Sequence, residues 1–219
     1  MKKRTGLYSA LAAMFALAFL VLIFLIKLCD VVAIGPLGSE IGLSSVNGAI
    51  RDAIGYSELW YDLSEWTIFA ALGTAALFCA LGLWQLIRRK SLKRVDADIY
   101  LLGGFYLAVV AVYLLFEVLS LNFRPVLVDG ELEASFPSSH VMIVGCMLFV
   151  CAHQLYHRLR SAILRISSVA ACVALLVFAL VGRLLSGMHW FTDILGGALV
   201  GAALVCCYLA IYSAIKRSK

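Results

Sequence analysis

The sequence predicts an all-α integral membrane bundle of six transmembrane helices, with both termini in the cytoplasm. Three observations predict it. The 219 residues are 63% hydrophobic and only 14% charged, with a mean hydropathy of +1.00. Soluble domains sit near half apolar and a quarter charged. Six apolar runs are each long enough to cross a bilayer, which takes about 20 residues. Finally, 14 of the 18 Lys and Arg fall in alternate extramembrane segments. The positive-inside rule assigns those segments to the cytoplasm.

Lys2, Lys3 and Arg4 precede the first run, 7–28. It is too long for a signal-peptide core and lacks a small-residue cleavage site, so it reads as an uncleaved helix. Lys27 at its far end can snorkel to the interface. Residues 29–66 carry Gly35, Pro36, Gly38, Gly42, Gly48 and Gly55, with six acids and one Arg. They read as an extracytoplasmic loop within a single membrane-embedded domain, 1–219. Around 46–66 either a short amphipathic helix or an irregular loop fits, with Trp60, Tyr61 and Trp66 as interfacial anchors. The second span covers 67–87, and Arg88, Arg89, Lys90, Lys93 and Arg94 form a basic loop after it. The third span covers 99–121. The segment 122–137 holds two prolines and several charges and is a loop. Spans at 138–156, 162–185 and 191–214 complete the bundle, and Lys216, Arg217 and Lys219 close it. The loops 29–66, 122–137 and 186–190 then lie outside. Most of the seven cysteines sit in apolar runs, without metal-ligand spacing, and read as packing residues. His153 and His157 fall on the cytoplasmic half of span four, away from the other polar residues.

On this topology Arg124, Ser138, Ser139, His140, Arg183, His189 and Asp193 all fall at outer ends of spans three to six. Ionisable residues gathered at one depth of a membrane bundle are costly, and function is their default explanation. His189 and Asp193 are four residues apart and share a helix face. A carboxylate beside a histidine orients and activates it as a base or nucleophile. Arg124 and Arg183 are forks for phosphate. Ser138 and Ser139 open a helix after Pro137, and a helix start favours an anion. Two Arg forks and a helix start form a phosphate cradle, and His140 can protonate a leaving oxygen. The flanking cations disfavour a divalent metal, so no metal site is expected.

These residues carry a resemblance. Arg124-Pro125, then Pro137-Ser138-Ser139-His140, then Gly182-Arg183 with five residues to His189 and three more to Asp193, resemble the motifs of the type 2 phosphatidic acid phosphatases. That family is the integral-membrane branch of the superfamily that includes vanadium haloperoxidases. The likeness covers about residues 67–214. It implies that His189 attacks phosphorus to form a phosphohistidine, Asp193 orients His189, and His140 protonates the leaving group. It further implies that Arg124, Arg183 and Ser138 hold phosphate, with no metal or other cofactor; Ser139, beside Ser138 at the helix start, is a further phosphate-binding candidate. Three positions depart from the pattern. Ser139 replaces Gly, Gly182 replaces Ser, and Glu117 stands where the family has Lys. Seven residues separate Glu117 from Arg124, nearly two helical turns. Glu117 is therefore expected to face inward and pair with Arg124 or Arg183, or to reach one through a single hydrogen-bonded neighbour.

The implied function is hydrolysis of a lipid phosphate or pyrophosphate in the outer leaflet, with membrane lipid as surroundings and no nucleic-acid partner. Phosphotransfer to another acceptor and a catalytically weak lipid-phosphate binder are the alternatives. A transporter fits less well, because the polar residues gather at one face and not at midplane. Compact loops without an Asn-x-Ser/Thr acceptor point to a bacterial plasma membrane. Nothing in the sequence fixes the oligomeric state.

Overall fold

In a bilayer the backbone must satisfy its own hydrogen bonds, so each apolar run folds as a helix. The computed structural model describes residues 2–217, which leaves Lys219 of the basic tail outside the described residues. The helices are α1 (Lys2–Leu28), α2 (Ser44–Ile54), α3 (Glu58–Arg89), α4 (Ala97–Leu119), α5 (Ser139–Arg158), α6 (Ala162–Leu185) and α7 (Phe191–Arg217). All but α2 are long and apolar enough to span a membrane. Among the described residues β-structure is limited to three isolated bridges.

The second span starts at Glu58, well before the expected residue 67. The Ser57 hydroxyl accepts the Trp60 N–H at 3.5 Å, and Glu58 suits the positive start of a helix. Glu58, Asp62 and Glu65 lower the local hydropathy, which hid these turns from a reading by apolarity. The short helix within 29–66 exists, but at 44–54. It does not simply rest on the interface. Asp30 reaches across its loop to take Ser44 Oγ at 2.8 Å and Ser45 N at 2.7 Å. Those bonds, the Ser45 backbone N–H foremost, hold the Asp30 carboxyl below the usual carboxylate range. A Val32–Ile41 bridge closes the loop, and Asn47 is fully buried against α7.

α5 and α7 form the centre of the bundle, and the other spans pack around them. Small residues let the two central helices approach. A Cβ on Gly197 would lie 2.5 Å from the Ser138 carbonyl, and one on Gly196 would press on the Phe136 ring at 2.6 Å. One helix turn on, Cys146 Sγ sits 3.7 Å from the Gly201 carbonyl. Close approach at small residues is how membrane helices gain packing without a hydrophobic driving force.

The basic end is tied by an ion network. Arg158 on α5 lies 2.8 Å from Asp98 and 3.6 Å from Asp96, and Arg89 on α3 lies 2.7 Å from Asp96. His153 and His157 are here, packed on the Tyr212 ring. The predicted site residues all lie at the opposite end. A cysteine at Gly130, on a Cys-free background, should react with impermeant maleimide added outside intact cells, and one at Ser91 should not. The reverse labelling would invert the topology.

Candidate active site

Asp193 occupies the third position of α7. There its Oδ2 accepts the Trp190 backbone N–H at 2.9 Å, capping the helix from inside. Its Oδ1 faces Asn122 Nδ2 at 3.4 Å, and its backbone carbonyl accepts Ser138 N–H at 2.9 Å. Asn47 of α2 completes the cap. Its Oδ1 accepts Thr192 N–H at 3.2 Å, and its Nδ2 donates to Thr192 Oγ1 at 3.0 Å and to the Gly42 carbonyl at 2.9 Å. So fixed, Asp193 stands 3.7 Å from His189 Nδ1, an electrostatic neighbour rather than a hydrogen-bond partner. Burial holds the His189 imidazole below the ordinary histidine range. The nearby Asp193 opposes that shift, and Arg124 and Arg183 add to it. His189 is thus neutral at pH 7, the state in which an imidazole has a free lone pair.

Arg183 ends α6 with 2% exposure. It ion-pairs with Glu65 of α3, and its guanidinium lies 5.3 Å over the Tyr61 ring. It also donates from Nη2 to His140 Nδ1 at 2.7 Å. Arginine can only donate, so Nδ1 accepts and the His140 proton is on Nε2. That nitrogen meets Thr67 Oγ1 at 2.8 Å, and the Thr67 hydroxyl donates onward to the Ser64 carbonyl at 2.6 Å. A directed chain therefore runs from Arg183 through His140 and Thr67 into α3. Gly182 permits it. A Cβ there would meet Ser64 Cβ at 2.8 Å, so the serine expected at this motif position would push α3 away.

The segment 122–137 is a small hairpin. Asp129 and Gly130 both have positive φ, the two-residue turn that matches strand twist. The fold-back places Arg124 opposite Glu133, with Arg124 Nε 3.0 Å from Glu133 Oε2. The oxygen is off the N–H axis, so the pair is ionic without a hydrogen bond. Trp190 Nε1 donates to the Phe123 carbonyl at 2.7 Å, and Arg51 donates to the Pro125 carbonyl at 3.3 Å. These contacts pin the hairpin to the start of α7.

All seven predicted residues gather at this end. Arg124, Ser139 and His189 line a pocket of about 440 Å³ between α4, α5 and the hairpin. His140, Arg183, Ser138 and Asp193 lie buried outside its wall. Ser138 is at the helix start, yet its hydroxyl makes no cap bond. Its Oγ, Arg124 Nε, Arg183 Nε and His189 Nδ1 are all buried without a hydrogen-bond partner in the protein. Buried polar atoms are usually paired, so this concentration marks a place where a polar ligand is completed.

Glu117 does not do what the sequence suggested. It lines the pocket, but its side chain is exposed and forms no ion pair with either Arg. Glu133 and Glu65 take those places. Both were missed, as were Asn47, Thr67 and Asn122, because their elements are distant in sequence and no local spacing links them.

A family profile described as the PAP2 superfamily matches residues 100–217. A crystal structure from Bacillus subtilis, described as the first transmembrane PAP2 type phosphatidylglycerolphosphate phosphatase, superposes with a TM-score of 0.62. The two are 23% identical, over 95% of this chain and 99% of that one, a likeness of fold. No curated protein matches.

Asn47→Ala would leave the Thr192 N–H buried and unpaired, at a cost of about 1–3 kcal/mol. A lower melting temperature in detergent is expected, together with reduced turnover. An unchanged melt would show that α2 does not hold α7.

Proposed function

We propose that this chain, which belongs to the PAP2 superfamily, hydrolyses a lipid phosphate or pyrophosphate through a covalent histidine intermediate, with its site at the outer membrane surface. One observation carries the reading. A neutral, buried imidazole beside a carboxylate stands near two arginines, each with its Nε buried and without a hydrogen bond, and near a buried serine hydroxyl that is likewise unbonded. That set suits a tetrahedral oxyanion with phosphorus in front of a nitrogen nucleophile.

The chemistry proceeds in two displacements. The neutral His189 attacks phosphorus with its Nε2 lone pair, and the bond from phosphorus to the lipid oxygen breaks. Asp193 stabilises the positive charge left on the imidazole. Arg124, Arg183 and the Ser138 hydroxyl hold the phosphoryl oxygens, and Ser139 stands at the pocket wall. The leaving oxygen takes a proton from His140. In the resting arrangement His140 Nδ1 is occupied by Arg183. A bound phosphate competes for that guanidinium and frees Nδ1 to take up a proton, so substrate binding arms the acid. Water then breaks the phosphorus–nitrogen bond and releases phosphate.

The apolar part of the pocket, with Val112, Phe116 and Met142, supports a substrate whose tail stays in lipid. The cations at the opposite end support an outward-facing site. The compact loops, without an Asn-x-Ser/Thr acceptor, support a plasma-membrane location in a bacterium.

His189→Ala should abolish phosphate release from a panel of lipid phosphates, and His140→Ala should lower it by about 10²–10⁴. Full release by His189→Ala would refute the mechanism. Lipid binding without any release from the wild type would leave only a lipid-phosphate binder. Guanidinium groups repel a divalent ion, so chelator should leave activity unchanged; loss with chelator and rescue by zinc or magnesium would contradict this. The acid limb of kcat/KM should lie below about 6.5, the ordinary histidine value, because His189 must be neutral and its pKa is lowered. An acid limb above that value would assign it to another group.

A further inference from the structure

Charge at the site does not balance in favour of an anion. Arg183 is matched by Glu65 and Arg124 by Glu133. Asp193 and Glu117 are two further carboxylates. His189 is held neutral, and His140 accepts a hydrogen bond from an arginine. Arg51 is the remaining cation nearby, bonded to the Pro125 carbonyl and lying over the Trp190 ring. Carboxylates therefore outnumber cations at a place whose unpaired donors call for phosphate.

Glu117 causes the excess. It stands in the last turn of α4, where free carbonyls already place partial negative charge and a Lys or Arg is the favoured residue. Among the described residues no cation forms an ion pair with its side chain. It shares one pocket with Arg124, Ser139 and His189, whose Nδ1 is buried and unpartnered. Arg124 and its partner Glu133 line the same pocket, so Glu117 is the pocket's carboxylate without an ion pair and its negative pole.

We propose that Glu117 is a subsite for an ammonium group carried on the substrate, so that the preferred substrate is a lipid phosphate with a positively charged amine a few bonds from phosphorus. The inference rests on the phosphatase reading and deepens it. An ammonium at the negative pole offsets the repulsion between Glu117 and the substrate's phosphate. A Lys at this position would supply the cation from the protein; here the substrate brings it.

The test compares sphingosine 1-phosphate with ceramide 1-phosphate. Both are lipid phosphomonoesters, and the nitrogen near the phosphate is an ammonium in the first and an uncharged amide in the second. The full chain in neutral detergent is assayed for phosphate release, and binding of each lipid is measured with the His189→Ala protein. The ammonium lipid should be favoured by about two- to fivefold in both readouts, the range of a partly exposed ion pair. The preference should shrink as salt is raised. The near-isosteric Glu117→Gln should erase it, with the ceramide lipid handled better than by the wild type because the repulsion on its phosphate is lifted, and Glu117→Lys should reverse it. Equal handling of the two lipids by the wild-type site, or an equal effect of Glu117→Gln on both, overturns the proposal. Absence of release from both lipids with the binding preference intact would fail the phosphatase reading alone and uphold the subsite.

Discussion

The buried carboxylate of Asp193 is the point on which this end of the bundle depends. It caps α7 through Trp190, faces Asn122 of the hairpin segment, and stands beside His189. Its own carbonyl takes the first free N–H of the α5 start through Ser138. One residue thereby ties together the start of both central helices and stands beside His189. Such a carboxylate is costly to bury, and the two hydrogen bonds to its oxygens are what make its charge tolerable. The consequence is that the packing of α5 against α7 sets where Ser138 and His189 stand.

The helices α2 and α3 serve the site although they fall outside the matched residues 100–217. α2 holds the start of α7 through Asn47. α3 rises past the apolar zone so that Glu65 and Thr67 reach Arg183 and His140. Gly182 gives α3 the room to do so. Through that room Thr67 brings a hydroxyl from α3 to His140. The departure at Gly182 and the extension of α3 are therefore one adaptation seen from two helices.

Much of this was legible in the sequence. Apolar run length located six spans, since lipid permits little else, and charge placed the predicted residues at one end of the bundle. The motif residues came together because each sits at a helix end, and helix ends on one side of a bundle must be neighbours. The start of α3 was hidden because a helix that climbs into the headgroup region carries charges that hydropathy counts against it. The pairing of Glu117 was misread for a different reason. Periodicity gives the face of a helix but not the competition for a partner, and Glu133 reached Arg124 first through a hairpin turn at Asp129-Gly130. Partners from remote segments, such as Glu65 and Asn47, leave no spacing to read.

The account stands on His189 as a covalent nucleophile, and the stereochemical course at phosphorus tests that most directly. A phosphate monoester made chiral with oxygen isotopes or sulfur would be turned over by the full protein and the configuration of the product determined. Two in-line displacements, first by His189 and then by the acceptor, predict net retention. Net inversion would mean that water attacks the substrate directly, and would contradict the account.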